Sequence, residues 1–347
     1  GWAISSADHR EDMSLIKEIG ANGIRLAHYP HSDEFYTLCD REGMLVWAEI
    51  PLVGKALDTP EFTENMKTEL TELIRQNFNH PSIFCWSLCN ELSKGDVKGL
   101  ISELNSVSHR EDPGRLTVLA ANVEKRPENA VPDIMAFNTY PGWYWAEPSE
   151  MKSTLERWNR QCGNKGIAVS EYGAGANVWH HWQTGKKTPK ADGVFHPEEW
   201  QATVHEQTYD AIKRSGFAWG SFVWNMFDFA SASRNEGDMP GMNDKGLVSY
   251  DRKIRKDAFY FYQSEWSEEP VVHIASRRDV ARRDSLTDVK VYTNCETVRL
   301  KVNGKDCGSP ERNGSICIWR KVGLKHGENQ VEAFGHRGGQ EFSDRCK

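Results

Sequence analysis

Asn79-His80-Pro81-Ser82-Ile83-Phe84-Cys85-Trp86-Ser87-Leu88-Cys89-Asn90-Glu91 begins in a turn, runs through a short apolar segment and ends on an acid. A run of this length bounded by a proline reads as a buried strand, Ser82 to Cys89, that delivers Glu91 to its C-terminal end. The same design recurs eighty positions later, where the strand-like run Ile167-Ala168-Val169-Ser170 ends in Glu171. Two carboxylates presented alike point to an enzyme.

Outward from this pair, helical and strand patterns alternate. Ala7 to Ile19 has apolar residues at helical spacing and ends at Gly20, and Asn22 to His28 reads as a strand stopped by Pro30. A helix over Asp33 to Glu42, a strand over Met44 to Glu49 and a helix over Thr59 to Asn77 follow. Later strands are expected at Leu116 to Ala120, Ile134 to Asn138, Ile167 to Ser170 and Phe217 to Trp224, with helices at Met151 to Cys162 and Pro197 to Ser215. Strands alternating with helices imply right-handed crossovers and a parallel sheet, here the (β/α)8 or TIM barrel of the α/β class. The site of such a barrel lies at the strand C-terminal ends, where Glu49, Glu91, Tyr140 and Glu171 would gather.

The 347 residues leave room for a barrel of roughly 250 residues and a small second domain. Charge divides the chain: 28 basic and 40 acidic residues up to Pro270, against 15 and 10 from Val271 onward. The later part also changes period, since Asp288 to Thr293 and Thr297 to Val302 alternate polar and apolar and Asn303-Gly304 marks a hairpin. Residues 1–270 are therefore expected to form the barrel and residues 271–347 a small β-sandwich.

No apolar run approaches the length of about 18 that spans a bilayer, so no membrane insertion is expected. The net charge of −7 with dispersed basic residues argues against nucleic acid as a partner. Thirteen tryptophans suit the flat faces of sugar rings, although each also suits a core. The eight cysteines do not form a disulfide framework. Cys85 and Cys89, four apart on one strand, are expected on one face with no metal between them.

Glycosidic hydrolysis needs one carboxyl group to protonate the leaving oxygen and a second to attack the anomeric carbon or activate water. Glu91 and Glu171 meet that demand, and the Asn90 amide can bond a sugar hydroxyl beside the reacting carbon.

Five segments carry a resemblance that spans nearly all of residues 1–270: Ile24-Arg25-Leu26-Ala27-His28-Tyr29-Pro30; Tyr36 to Gly43; Asn79 to Ile83 with Asn90-Glu91; Ser170-Glu171-Tyr172-Gly173; and Asn243-Asp244-Lys245-Gly246-Leu247-Val248. Their order and content resemble glycoside hydrolase family 2. The resemblance implies a retaining mechanism with Glu91 as acid/base and Glu171 as nucleophile, their carboxyl groups about 5 Å apart. It implies that Arg25 orients the nucleophile, that His28 contacts sugar, that Tyr140 bonds the nucleophile and that Trp224 floors the sugar site. Trp143, Trp145, Trp179 and Trp182 follow strands and are candidates for the leaving-group side. The tail, with Asn303-Gly304-Lys305 and Trp319, is similar to the immunoglobulin-like modules of bacterial β-galactosidases in the family.

No cofactor is expected. Glu49-Ile50-Pro51-Leu52-Val53-Gly54 lacks the acid and histidine that hold magnesium in large β-galactosidases of the family, and His180 and His181 are not expected to bind metal. Asn243 and Lys245 have the spacing with which the family's β-glucuronidases recognise a carboxylate. The stretch from Glu171 to the His180-His181 loop resembles galactosidases more, so terminal β-galactosides are the favoured substrates, with β-glucuronides or a catalytically weak carbohydrate-binding barrel as alternatives.

The strand Gly23 to His28 aligns with the second barrel strand of the family. The reading is thus of a fragment with seven barrel strands, its first strand and N-terminal domains lying upstream. Its slot would stay open, be filled from residues 1–6, or invite association with another copy. Compartment stays open between bacterial periplasm and cytoplasm.

Overall fold

The computed structural model describes all residues except 1, 2, 94, 96, 124, 165 and 183–186. Seven parallel strands pair in sequence order: β1 (Gly23–Leu26), β2 (Leu45–Glu49), β3 (Ile83–Asn90), β4 (Leu116–Ala121), β5 (Ile134–Asn138), β6 (Ile167–Tyr172) and β7 (Ala218–Val223). Helices α1 (Ser6–Glu18), α2 (Asp33–Glu42), α3 (Pro60–Asn77), α4 (Lys98–Glu111), α5 (Met151–Gln161), α6 (Glu198–Arg214) and α7 (Asp257–Trp266) cover the outside. Local chemistry sets their ends. Ser5 and Asp8 form a capping box on α1, Thr59 caps α3 ahead of Pro60, and Gly43 closes α2 in the left-handed conformation at φ 69°.

The expected strands are all present to within a few residues. Helices α4 and α7 were not anticipated, because α4 follows a loop without a side-chain cap and α7 is apolar on most of its surface. The expectation that Cys85 and Cys89 share a face fails. A register shift between Ser87 and Asn90 breaks the alternation of β3, so Cys85 packs inside the barrel with Trp47, Val118 and Ala168, while Cys89 joins the layer beneath the helices. All eight cysteines are unbridged.

The ring does not close by hydrogen bonding. Strands β1 and β7 are its two edges, and a cavity of about 760 Å³ opens along them, lined by Ile24, Leu26, Trp219, Phe222 and, from α1 and its C-cap, Ile16 and Ile19. Among the described residues no eighth barrel strand fills it. Residues 3–5 are irregular and α1 starts at Ser6. The short strands β8 (Phe229–Ala230) and β9 (Met242–Asn243) pair only with each other.

Beyond α7 the pattern is antiparallel. One sheet contains β10 (Val272–Ile274), β11 (Leu286–Thr293), β14 (Glu311–Asn313) and β15 (Ile316–Gly323); the other contains β12 (Thr297–Val302), β13 (Lys305–Asp306), β16 (Val331–Arg337) and β17 (Gln340–Cys346). Their inner faces bury Val291, Leu300, Trp319 and Ala333. Polar contacts tie these sheets to the barrel: His273 bonds Asp257 at 3.1 Å, Lys290 bonds Glu206 at 2.6 Å, and Arg278 pairs with Glu198.

Candidate active site

All the barrel strands except β4 contribute polar side chains to a single rim. Arg25 comes from β1, Glu49 closes β2, and Asn90 closes β3 with Glu91 next to it at φ 53°. Asn138 closes β5 ahead of Tyr140, Glu171 lies on β6, and Trp224 follows β7. Gly173 permits the close packing behind Glu171, because a Cβ there would lie 2.6 Å from the Trp224 carbonyl.

The acids expected from sequence are joined through one network. Glu91 Oε1 accepts from Asn138 Nδ2 at 2.8 Å, and the same amide donates to Asn90 Oδ1 at 3.1 Å. Asn90 Oδ1 also accepts from Arg25 at 2.7 Å, and Arg25 reaches Glu171 Oε1 at 2.7 Å through its other terminal nitrogen. Tyr140 donates its hydroxyl to Glu171 Oε2 at 2.5 Å. Both Glu171 oxygens are therefore oriented by charged or strong donors.

Electrostatics separates the two acids. Burial raises the pKa of Glu91 above the ordinary carboxylate value and the negative charge of Glu171 adds to the rise, against a smaller lowering by the Asn138 amide. Tyr140 is pushed far up by burial and by the Glu171 charge, so its proton stays on oxygen. Glu49 moves the other way. Burial alone would raise it, but Arg25 and His28 outweigh that and hold it ionised.

His28 bonds Glu49 at 2.7 Å through Nδ1 and stacks on Trp224 with centroids 4.9 Å apart and planes 18° from parallel. Trp224 meets Phe229 edge-on, and Phe229 pairs with Asn243 across β8 and β9. Lys245 is buried, and its Nζ finds no hydrogen-bond partner. It lies 5.2 Å from the Tyr144 ring centroid, and Tyr144 packs edge-on against Tyr140. The arrangement thus gathers Arg25, His28, Asn90, Glu91, Tyr140, Glu171 and Trp224 at the rim, with Asn243 and Lys245 reached through one further aromatic ring on each side.

The outer tryptophans divide. Trp143 is buried under Lys245, Trp182 packs on Trp200, and Trp145 and Trp179 are exposed. His181 bonds Glu199 at 2.8 Å, and among the described residues no group of three His, Cys, Asp or Glu is placed to hold a metal ion. Asn138 was missed, and Glu49 was read only as a strand-end acid. The signal that found Glu91, a polar residue closing an apolar strand, is also present at Asn138.

The sequence pattern of glycosyl hydrolases family 2, TIM barrel domain, matches residues 1–268, and a domain of unknown function (DUF4982) matches residues 284–343. A β-glucuronidase of Bacteroides fragilis is 43% identical over 342 residues, covering 95% of this chain and 49% of its own length. The crystal structure of an FMN-binding β-glucuronidase from Facaelibacterium prausnitzii L2-6 superposes with TM-score 0.92 at 37% identity, covering 100% of this chain and 54% of that one. A Bacteroides fragilis crystal structure whose β-galactosidase name is itself provisional gives TM-score 0.94 at 34% identity, with 100% and 52% covered. The chain spans about half the length of these relatives.

Proposed function

The chain belongs to glycosyl hydrolase family 2, and on that premise we propose that it carries the catalytic part of a retaining β-glucuronidase. Residues 1–270 are assigned as the catalytic domain and residues 271–347 as an accessory β-sandwich. Glu171 attacks the anomeric carbon and Glu91, protonated, gives its hydrogen to the leaving oxygen; water then cleaves the glycosyl ester with Glu91 as base. The electrostatics favours that cycle. The Glu171 charge that helps keep Glu91 protonated vanishes when Glu171 is esterified, which makes Glu91 the better base for the second half. Arg25 and Tyr140 orient Glu171, Asn90 meets the sugar hydroxyl beside the reacting carbon, and His28 with Trp224 offers a flat wall to the ring.

The choice of glucuronide rests on the Lys245 ammonium, buried without a hydrogen-bond partner beside Asn243. A buried cation without such a partner costs several kcal/mol unless an anion compensates it, and a sugar carboxylate is such an anion. The names of the relatives from Bacteroides fragilis and Facaelibacterium prausnitzii point the same way. This replaces the galactoside preferred from sequence. The stretch after Glu171 that suggested it packs inward: Ala174 is buried with Tyr140, Trp143 and Trp200, so the stretch reports packing more than sugar contact.

The test compares kcat/KM for nitrophenyl β-glucuronide and β-galactoside. The glucuronide is expected to be cleaved at least about 100-fold better, with the ratio collapsing in Lys245→Ala; faster cleavage of the galactoside by the unaltered chain overturns the assignment.

A further inference from the structure

Asp244 lies between Asn243 and Lys245 and brings a negative charge to the place where a positive one has to stay uncommitted. Its side chain is completely buried. Oδ2 accepts from His196 Nδ1 at 2.6 Å, while Oδ1 has no hydrogen-bond partner. Two glycines make room for the carboxylate: a Cβ on Gly175 would lie 2.3 Å from Oδ1, and one on Gly237 2.3 Å from Oδ2. The Asp244 carbonyl is fixed as well, accepting from Lys256 Nζ at 2.9 Å and from the Ala176 amide at 3.0 Å.

His196 is equally buried, and its second nitrogen faces the Lys190 carbonyl at 3.1 Å. Both ring nitrogens meet acceptors, so the ring is held at both ends. Trp143 borders both this pair and Lys245. Its ring is edge-on to His196 at 4.7 Å, and Lys245 Nζ lies 5.7 Å from its centroid.

Building on the glucuronidase reading, we propose that His196 is a positioning residue for substrate selection: by holding the Asp244 carboxylate it leaves the Lys245 ammonium free to meet a substrate carboxylate. Opposite charges attract strongly in a buried site. Without His196 the carboxylate loses the contact that fixes its orientation through Oδ2, and it becomes free to turn toward the neighbouring Lys245, so that the ammonium is spent inside the protein. His196 thereby acts on discrimination between charged and neutral sugars and not on the bond-breaking step.

The experiment measures kcat and KM for nitrophenyl β-glucuronide and nitrophenyl β-glucoside, sugars that differ by the carboxylate. In His196→Gln the glucuronide-to-glucoside ratio of kcat/KM is expected to fall about tenfold or more, through KM for the glucuronide. Adding Asp244→Asn removes the capturing charge and is expected to restore most of the ratio. A double variant no better than the single one, or a parallel loss on both substrates, overturns the proposal. Should His196→Gln fail to fold, Asp244→Asn alone decides: a retained ratio supports the proposal and a tenfold fall overturns it. Lys245→Ala separates the two levels. If it leaves the ratio intact, the glucuronide reading falls and this proposal with it; if it abolishes the ratio while His196→Gln does not, only the role of His196 is wrong.

Discussion

Glu49 grips Arg25 with both oxygens, Oε2 accepting from Nε at 3.0 Å and Oε1 from a terminal nitrogen at 3.1 Å, while the other terminal nitrogen serves Glu171 at 2.7 Å. One guanidinium is thus divided between two carboxylates. A carboxylate that had Arg25 to itself would be neutralised more fully, and on the proposed mechanism the sharing leaves Glu171 charge with which to attack.

Glu49→Gln should accordingly give the whole Arg25 charge to Glu171. The first step, formation of the glycosyl ester, is expected to slow about 10–100-fold. Loss of a buried ion-pair partner is expected to cost about 3 kcal/mol in stability as well. Single-turnover kinetics and thermal melting separate the two effects; an unaltered first step would show that Glu49 acts on stability alone.

On the proposed mechanism, Glu91→Gln removes the proton donor and leaves the nucleophile in place. Alkyl glycosides, whose leaving groups need protonation, should lose about 10²–10⁴-fold in kcat/KM, whereas nitrophenyl glycosides should lose far less in the first step. Equal losses on both classes would argue against an acid role for Glu91.

The pH dependence has a definite sign. If Glu91 is the acid of the first step, as proposed, kcat/KM is expected to fall as pH rises through its elevated pKa. Glu171→Gln removes one of the two causes of that elevation, and the Glu91 carboxyl in this variant should titrate at lower pH by carbon-13 NMR. An unchanged titration would mean that burial accounts for the whole shift.

His205, which packs behind Gly173, gives a stability prediction. Burial, helped by the charge of Lys256, lowers its pKa to about 3. The unfolded chain binds a proton near pH 6.5 and the folded chain does not, so this group subtracts stability as pH falls from about 6.5 towards 3, by at most roughly 1.4 kcal/mol per unit. Denaturant midpoints at pH 7 and pH 5 should differ less in His205→Gln than in the unaltered chain.

Most of the barrel is written in local pattern: strands ended by Pro30, Pro51 and acids, and helices opened by Ser5 or Thr59. Glu91, Glu171 and Tyr140 were legible because a polar residue after an apolar run has few other reasons to be there. Asn138 was legible in principle by the same rule. The role of Asp244 was not, because a charge inside a loop looks solvated until a histidine 48 positions earlier is seen to reach it. Cys89 was misplaced for a related reason, since the irregularity in β3 that turns it outward leaves no mark in the sequence.

Side chains, not backbone hydrogen bonds, link the two edges β1 and β7 at the rim. Arg25 on one lip reaches past the break to Glu171 Oε1 and to the Ser170 carbonyl, at 2.7 and 3.1 Å, and His28 stacks on Trp224 across the same opening. These side chains join β1 to β6 and to the residue after β7 at the same atoms that orient Glu171. Cutting one of them would therefore disturb the aim of a side chain at the rim and a contact between strands at the same time.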